Sequence, residues 1–165
     1  MYKRNFCRSS WVIGRGRNFV KTMRALSDRC ASADDALEQV TVVDDQAGRL
    51  TFTETMAGAI FHLLGYREGD MEPAVPAPYG LYNCINSGDA ASWAQIAAMV
   101  FERVNGNGDK VQPVSTADYY ANAAGPVAPR PEHSALDLSK LEAAGFVPAD
   151  WHEELDAYMD ELLAE

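Results

Sequence analysis

The spacing of apolar residues alternates along the chain between the short runs typical of strands and the repeats of three to four residues typical of helices. The run from Phe6 to Ile13 predicts a mostly buried strand that ends at Gly14. Asn18 is a predicted helix N-cap, because the apolar residues after it have helical spacing. Further strands are predicted at 40–43, 79–85 and 111–114, and further helices are predicted to begin near 51, 92, 138 and 150. This alternation predicts an α/β fold.

Capping signals locate two of these helices. Thr51 with Glu54, and Ser92 with Gln95, have the spacing of a capping box. Trp93, which follows the second box, and Trp151 lie on the apolar faces of their predicted helices, which predicts core positions for both.

The length of 165 residues predicts a single domain, 1–165, and a content of 47% hydrophobic residues is sufficient for a packed core. Two proline-rich segments predict an extended linker at 66–78 and a loop at 121–131. Residues 44–49 predict a polar turn, where ligand contacts can lie.

The net charge of -10 is unevenly distributed, because eight of the 14 Lys and Arg residues lie in residues 1–30. These basic residues straddle a predicted strand-to-helix turn and form no stripe with aromatic residues, so we expect no nucleic-acid binding. They are consistent with a solvated face or with a small phosphorylated ligand at a helix N-terminus. Three scattered cysteines favour a reducing, cytoplasmic location, and the short apolar runs predict no membrane insertion.

The stretch WVIGRGRNF contains two of the three glycines of a dinucleotide-binding turn. Phe19 stands where the third glycine would be, and Asp34 and Asp35 follow residues that do not predict a strand, so we expect no dinucleotide site at this turn. The histidines are isolated, which predicts no metal site. The sequence contains neither a Gly-x-Ser-x-Gly nor a Tyr-x-x-x-Lys motif.

Trp11 lies at the carboxyl end of the first predicted strand, where open α/β sheets place ligands. From its position alone, Trp11 is equally consistent with a ligand contact and with a core side chain.

Four segments follow one another along the chain: RSSWVIGRGRNFVKTM (8–23), VVDDQAGRLTFTETMAGAI (42–60), GLYNCINSGDAASWAQIAAMVFE (80–102) and RPEHSALDLSKLEAAGF (130–146). In this order they resemble the dTDP-4-dehydrorhamnose reductases of the extended short-chain dehydrogenase/reductase superfamily. The resemblance covers about the second half of such an enzyme. It implies the C-terminal substrate-binding part of an α/β reductase, with late strands of a Rossmann sheet but without the N-terminal cofactor-binding half.

The same resemblance implies a nucleotide-sugar site. Trp11 matches a tryptophan that lies against the deoxysugar, and Asn18 matches the helix start that faces the substrate. Gln46 and Arg49 fall in the substrate-domain loop. Arg130 matches an arginine that approaches the pyrophosphate in related reductases and epimerases, a contact that a planar guanidinium suits.

Two departures and one absence qualify these expectations. Leu50 replaces the usual proline of the family's loop, and His133 replaces a usual asparagine. The family's catalytic Tyr-x-x-x-Lys pair and glycine-rich NADPH turn have no match in these 165 residues. We therefore expect no catalytic residue and no bound cofactor in this chain, whereas the intact family uses NADPH.

The resulting hypothesis is a protein of dTDP-rhamnose biosynthesis that keeps the half that binds a dTDP-sugar and is inactive alone. One alternative is a non-catalytic partner subunit that completes a separately encoded cofactor domain. Another is an orphaned fragment that only self-associates. Since strands made for a larger sheet would expose their edges, we also expect a homo-oligomer or a missing cofactor-binding half as partner.

Overall fold

The computed structural model describes residues 4–33, 37–66 and 75–164. Its strands are β1 (Asn5–Arg8), β2 (Val12–Ile13), β3 (Val40–Val43), β4 (Ala47–Gly48), β5 (Thr51–Phe52), β6 (Gly80–Asn83), β7 (Ala91–Ser92) and β8 (Val111–Val114). Its helices are α1 (Phe19–Ala31), α2 (Thr53–Leu63), α3 (Trp93–Asn105), α4 (Thr116–Tyr119), α5 (Ser139–Ala143) and α6 (Trp151–Ala164), and a 3₁₀ turn covers Gly108–Lys110. The predicted α/β class is confirmed.

The strands form pairs that each join distant parts of the chain. β1 pairs with β6, β2 with β5 and β3 with β8, all in parallel, whereas β4 and β7 are antiparallel. Because parallel neighbours need a crossover connection, helices lie between the paired strands along the sequence. Among the described residues, no pair is a hairpin.

The single strand predicted at Phe6–Ile13 is wrong, because the chain forms two strands there with different partners. Trp11 lies between them with a φ of +50°, alone among the described non-glycine residues in having a positive φ. A residue in the left-handed region cannot continue an extended strand. The first strand is also not buried: Phe6 is 60% exposed, and its register partner Leu81 is 43% exposed.

The larger hydrophobic core lies where α1 packs on α3, with α6 and strands β2, β3 and β5 contributing. Trp151 is fully buried in it, as the sequence predicts, and its indole Nε1 donates a hydrogen bond of 2.7 Å to the carbonyl of Asp89. Leu50, which stands in place of the family's proline, is also fully buried there. An apolar contact therefore replaces the proline at this position.

A second, smaller core joins α2, β6 and α5. It contains Tyr82 and Cys84 of the β6 segment, and Leu63 and Leu141 of the flanking helices. Burial raises the pKa of the Cys84 thiol to about 12, and the neighbouring Cys7 thiol adds to this effect. The thiol of Cys84 is therefore neutral at physiological pH and serves as a packing group.

Of the two predicted capping boxes, one is confirmed and one is wrong. At the start of α3, the hydroxyl of Ser92 accepts from the amide of Gln95, and the Gln95 side chain accepts from the amide of Ser92. Helix α2 instead begins after Phe52, without a side-chain cap. Thr51 belongs to β5, where its hydroxyl donates a 2.6 Å hydrogen bond to the carbonyl of Ser10.

The segments predicted as turn, loop and linker differ in outcome. Residues 44–49 are predicted as a polar turn from their composition, but they include the two-residue strand β4. Residues 121–131 are exposed and contain no helix or strand. Residues 67–74 of the linker predicted at 66–78 lie outside the described residues, as do Asp34 and Asp35.

Asn86, directly after the β6 segment, links three parts of the fold. It is fully buried, and its side-chain oxygen accepts a 2.9 Å hydrogen bond from the amide of Phe52. Its side-chain nitrogen donates to the hydroxyl of Thr55 and to the carbonyl of Ala149. The side chain thereby ties the start of α2 to the segment before α6.

We expect Asn86→Ala to lower the free energy of unfolding by about 3 kcal/mol, because it leaves the buried amide of Phe52 without a partner and removes both hydrogen bonds that the Asn86 side chain donates. Urea denaturation followed by circular dichroism measures this loss. Asn122→Ala is the matched control, since Asn122 lies exposed in the proline-rich loop. A loss for Asn86→Ala no larger than that of the control would contradict this role.

Candidate functional site

Trp11 is part of a group of aromatic rings at the meeting point of two helix starts. Its indole stacks on Trp93 with ring centroids 3.8 Å apart and an interplanar angle of 22°. Phe19 contacts Trp93 at 4.5 Å in a tilted arrangement. Trp93 and Phe19 are the first residues of α3 and α1, so the packing of these helices places the rings together.

The core position predicted for Trp93 is only partly right. The side chain packs against the larger core but is half-exposed, because its outer side lines an open cleft. Trp11 is also half-exposed. The two indoles together form a partly solvated aromatic surface, whose apolar faces suit a planar ring or the apolar face of a sugar.

Hydrogen bonds fix the backbone around Trp11. Its carbonyl accepts a 3.0 Å hydrogen bond from the amide of Thr51, and the Thr51 hydroxyl donates to Ser10. The Ser10 hydroxyl donates in turn to the carbonyl of Ser134. These contacts hold the left-handed conformation, which costs roughly 1–2 kcal/mol for a residue with a Cβ atom.

The cleft has a volume of about 330 Å³ and lies between α1, β3 and the segment after β8. Gln46 follows the carboxyl end of β3, and Tyr119 and Tyr120 follow the carboxyl end of β8. Since β3 and β8 are parallel neighbours, their carboxyl ends share one edge, which is where α/β proteins place ligands. The wall is completed by Phe19, Thr22, Met23, Leu26, Trp93 and residues 40–43.

Gln46 holds one wall of the cleft in place. Its side-chain nitrogen donates a 2.9 Å hydrogen bond to the hydroxyl of Thr116, the first residue of α4. The carboxylate of Asp45 accepts from the same hydroxyl and from the amide of Thr116. These two bonds, with the hydroxyl contributing more, lower the pKa of Asp45. The side-chain carbonyl of Gln46 has no partner among these contacts and can accept from a ligand.

Asn18 is confirmed as the N-cap of α1, and its side chain is used within the fold. The side-chain oxygen accepts from the amide of Lys21 at 3.0 Å. The side-chain nitrogen donates to the carbonyl of Gly14 at 2.7 Å and to the hydroxyl of Tyr158 at 2.8 Å. The side chain of Asn18 therefore joins α1 to α6, and a ligand would have to compete with these bonds.

Arg49 lies half-buried in an incompletely satisfied environment. Its Nη1 is 3.4 Å from the carbonyl of Leu136, a long contact, and its buried Nε has no hydrogen-bond partner. The charge of Arg49 also acts on the nearby carboxylate of Asp150. This carboxylate accepts hydrogen bonds from the amide and the ring of His152. The pKa of Asp150 is lowered mainly by the bond from the His152 amide, then by the ring, and least by the charge of Arg49. The guanidinium thus retains donor capacity, which suits an anionic ligand.

The five residues assigned by the family resemblance separate in the structure. Of the five, Gln46 is the one that lines the cleft; Trp11 is not a lining residue, but it stacks on Trp93, which is. Asn18, Arg49 and Arg130 are not among the cleft's lining residues, and Arg130 is exposed in the proline-rich loop.

Apart from Gln46, the sequence assigned none of the lining residues to a site, and the aromatic ones that it missed are Phe19, Trp93, Tyr119 and Tyr120. The tyrosines could have been found, because two adjacent aromatic residues shortly after a predicted strand are unusual for a solvated loop. Tyr119 is 50% exposed and Tyr120 is 37% exposed.

The described residues of the glycine stretch do not fit a dinucleotide turn. Phe19, at the position of the third glycine, packs its ring on Trp93 rather than leaving space for a close strand. The amide of Lys21 in the first turn of α1 is taken by Asn18. The described residues also contain no His, Cys, Asp or Glu cluster placed to hold a metal ion, and no described helix is long and apolar enough to cross a membrane.

The fold and the cleft define a class: an α/β domain that presents an open, aromatic ligand site beside the carboxyl ends of parallel strands. The family model described as the RmlD substrate binding domain matches residues 2–164. The chain belongs to this family, as the four sequence segments predict.

The relatives of the chain include reductases of dTDP-sugars. Spore coat polysaccharide biosynthesis protein SpsK of Bacillus subtilis is 33% identical over 155 residues, which are 93% of this chain and 46% of that protein. The dTDP-4-dehydrorhamnose reductase of Mycolicibacterium smegmatis is 33% identical over 151 residues, with 90% and 39% of the two chains covered.

A solved reductase structure likewise matches nearly all of this chain with about half of its own length. The dTDP-4-dehydrorhamnose reductase of Bacillus anthracis, solved in complex with NADP, matches with a TM-score of 0.72 at 29% identity. The match covers 97% of this chain and 49% of the reductase. The chain thus spans about half of the solved reductase, and less than half of the two curated relatives named above.

We expect Asn18→Ala to lower the free energy of unfolding by about 2 kcal/mol, because the variant loses a helix cap and the contact with Tyr158. Asn18→Asp keeps the cap acceptor but not the amide donors, so its loss should be intermediate. Thermal and urea denaturation compare the variants. Unchanged stability of Asn18→Ala would show that the side chain is free for another role.

Proposed function

We propose that this chain forms the dTDP-sugar-binding half of a dTDP-4-dehydrorhamnose reductase and acts in dTDP-rhamnose biosynthesis. The observation that carries the proposal is the half-exposed stack of Trp11 and Trp93 beside an open cleft, in a domain of the substrate-binding family. The curated relative from Mycolicibacterium smegmatis bears the name of this enzyme.

In the proposed complex, Trp11 contacts the deoxysugar. A 6-deoxyhexose has an apolar face that includes its methyl group, and an indole offers a flat apolar surface of matching size. Because Trp11 stacks on Trp93, its side chain is already held in place before the sugar binds. Binding therefore costs less side-chain entropy than it would with a freely rotating tryptophan.

Polar groups at the cleft edge fix the orientation of the ligand. Gln46 offers its side-chain carbonyl, and the hydroxyls of Tyr119 and Tyr120 can donate or accept. A thymine ring and sugar hydroxyls present complementary donors and acceptors. An apolar cleft with a few such groups is the usual composition of a small-molecule site.

Arg49 and Arg130 are proposed to bind the pyrophosphate. The buried, unpaired Nε of Arg49 supports this role, because a charged donor without a partner gains a strong hydrogen bond from a phosphate oxygen. Arg130, on the exposed loop, would approach from the solvent side. The Lys21 amide in the first turn of α1 can bind a phosphate oxygen directly only if the ligand displaces the side-chain oxygen of Asn18.

Reduction needs more than these residues. In the family, NADPH supplies a hydride to the C4 ketone of the sugar, and the catalytic pair has the form Tyr-x-x-x-Lys. The 165 residues contain no such motif. The role we propose for this chain is therefore to bind and orient the sugar nucleotide.

Calorimetric titration tests the binding proposal. We expect dTDP-rhamnose to bind the 165-residue chain and Trp11→Ala to weaken binding about tenfold or more, about 1.4 kcal/mol, because the sugar loses its apolar surface. Phe61→Ala is the control, since Phe61 is 59% exposed and does not line the cleft. Absence of heat with the original chain, or equal affinity for Trp11→Ala, would reject the proposal.

The same chain should show no turnover. Mixed with dTDP-4-dehydrorhamnose and NADPH, it should oxidise NADPH no faster than buffer, because its sequence holds no Tyr-x-x-x-Lys pair. Absorbance of NADPH over time measures the rate. Oxidation above background that depends on the keto-sugar would show that other residues of the chain perform the reduction.

The exposed face of the β1–β6 pair supports a partner, either a second copy or a cofactor-binding half. Phe6, Leu81 and Tyr79 retain between 43% and 60% of their surface there, and β1 has one strand neighbour among the described residues. An unpaired edge with exposed apolar side chains favours association. We expect light scattering to detect self-association, and Phe6→Lys to reduce it; a monodisperse monomer would contradict this expectation.

A further inference from the structure

We propose that Gly48 and Trp93 are positioning residues that hold the indole of Trp11 in its ligand-binding orientation. This inference rests on the proposed function, because it assigns the orientation of Trp11 in that same site. The sequence predicts neither residue as part of a binding site. Trp93 also lines the cleft, and the role assigned to it here is to hold the indole of Trp11.

Gly48 leaves the space that the indole occupies. A Cβ atom at this position would lie 2.9 Å from Cε2 and Cζ2 of Trp11 and 3.0 Å from Cη2. Such distances are far inside van der Waals contact. Gly48 is not among the glycines with a positive φ, so its backbone conformation does not require glycine. The space taken by Trp11 is therefore the physical reason for a glycine here.

The backbone at Gly48 has little freedom to move away. Gly48 pairs with Ala91 in the β4–β7 ladder. The preceding residue, Ala47, donates its amide to the carbonyl of Glu132 and accepts from the amide of Ser134, both at 2.7 Å. The short strand is thus held on both edges, and added bulk at Gly48 must be accommodated by the indole.

Trp93 belongs to the same rigid unit. It follows β7 directly, and the capping box of Ser92 and Gln95 fixes the first turn of α3. Gly48, which packs against the indole of Trp11, lies in the β4–β7 ladder, and Trp93, which stacks on that indole, directly follows β7. Trp11 has a left-handed backbone and lies in neither β1 nor β2, so we assign the orientation of its ring to the contacts with Gly48 and Trp93.

The test is Gly48→Ala, with Gly16→Ala as the matched control because a Cβ at Gly16 meets no atom within 4 Å. Two closely stacked indoles give an exciton couplet in far-ultraviolet circular dichroism, which reports the orientation of Trp11 without any ligand. We expect Gly48→Ala to lose the couplet and to weaken dTDP-rhamnose binding about tenfold, while binding of dTDP, which lacks the sugar, changes about twofold or less. Gly16→Ala should change neither.

A double-mutant cycle separates positioning from general damage. A phenyl ring lacks the outer atoms Cζ2 and Cη2 that a Cβ at Gly48 would meet, so in a Trp11→Phe background the further change Gly48→Ala should alter affinity and melting temperature less than in the original chain. An equal loss in both backgrounds, or a retained couplet with retained affinity in Gly48→Ala, would overturn the inference.

Trp93 provides a second test if Gly48→Ala fails to fold. Trp93→Ala should weaken dTDP-rhamnose binding about as much as Gly48→Ala, and Trp93→Phe should restore most of the affinity, because a phenyl ring still supports stacking. Affinity unaffected by Trp93→Ala would reject the role of Trp93. If the original chain does not bind dTDP-rhamnose, the proposed function fails, while the couplet in the original chain and in Gly48→Ala still decides whether Gly48 orients the indole.

Discussion

The left-handed backbone at Trp11 is the constraint on which the rest of the structure depends. Trp11 lies in the short segment between β1 and β2, and these two strands join different partners, β6 and β5. The Thr51 amide and the stack with Trp93 offset the cost of this conformation. One residue thereby separates two short strands with different partners and also places an indole against Trp93, which lines the cleft.

The sequence predicted best those features that local interactions decide. Helices α1 and α3 begin where Asn18 and Ser92 can cap them, and their apolar repeats face the core. Cap and repeat lie within a few residues of each other, so the pattern contains the information needed. The α/β class follows equally directly from the alternation of elements, and Trp151 is buried as its helical position indicates.

The features that could not be predicted depend on contacts between distant residues. Nothing near Trp11 indicates a positive φ, because the bond from Thr51 and the space at Gly48 arise only after β4 and β5 have assembled. Asn18 carries a helix-cap signal in sequence, but its bond to Tyr158 of α6 does not. The family resemblance indicated candidate site residues. The burial and hydrogen bonding of these residues, such as the buried and unpaired Nε of Arg49, depend on the folded structure and could not be predicted.

The pairing of the strands also bears on how the chain acquires its structure. Asn5 pairs with Gly80, Val40 with Val111 and Ala47 with Ser92, so none of these ladders can be closed by a neighbouring turn. Large loops must close before such contacts form, which gives a high contact order and slow folding. Helices form much faster. The edges of these strands therefore stay unpaired until distant segments of the chain meet, and an unpaired edge can bind another chain in the meantime.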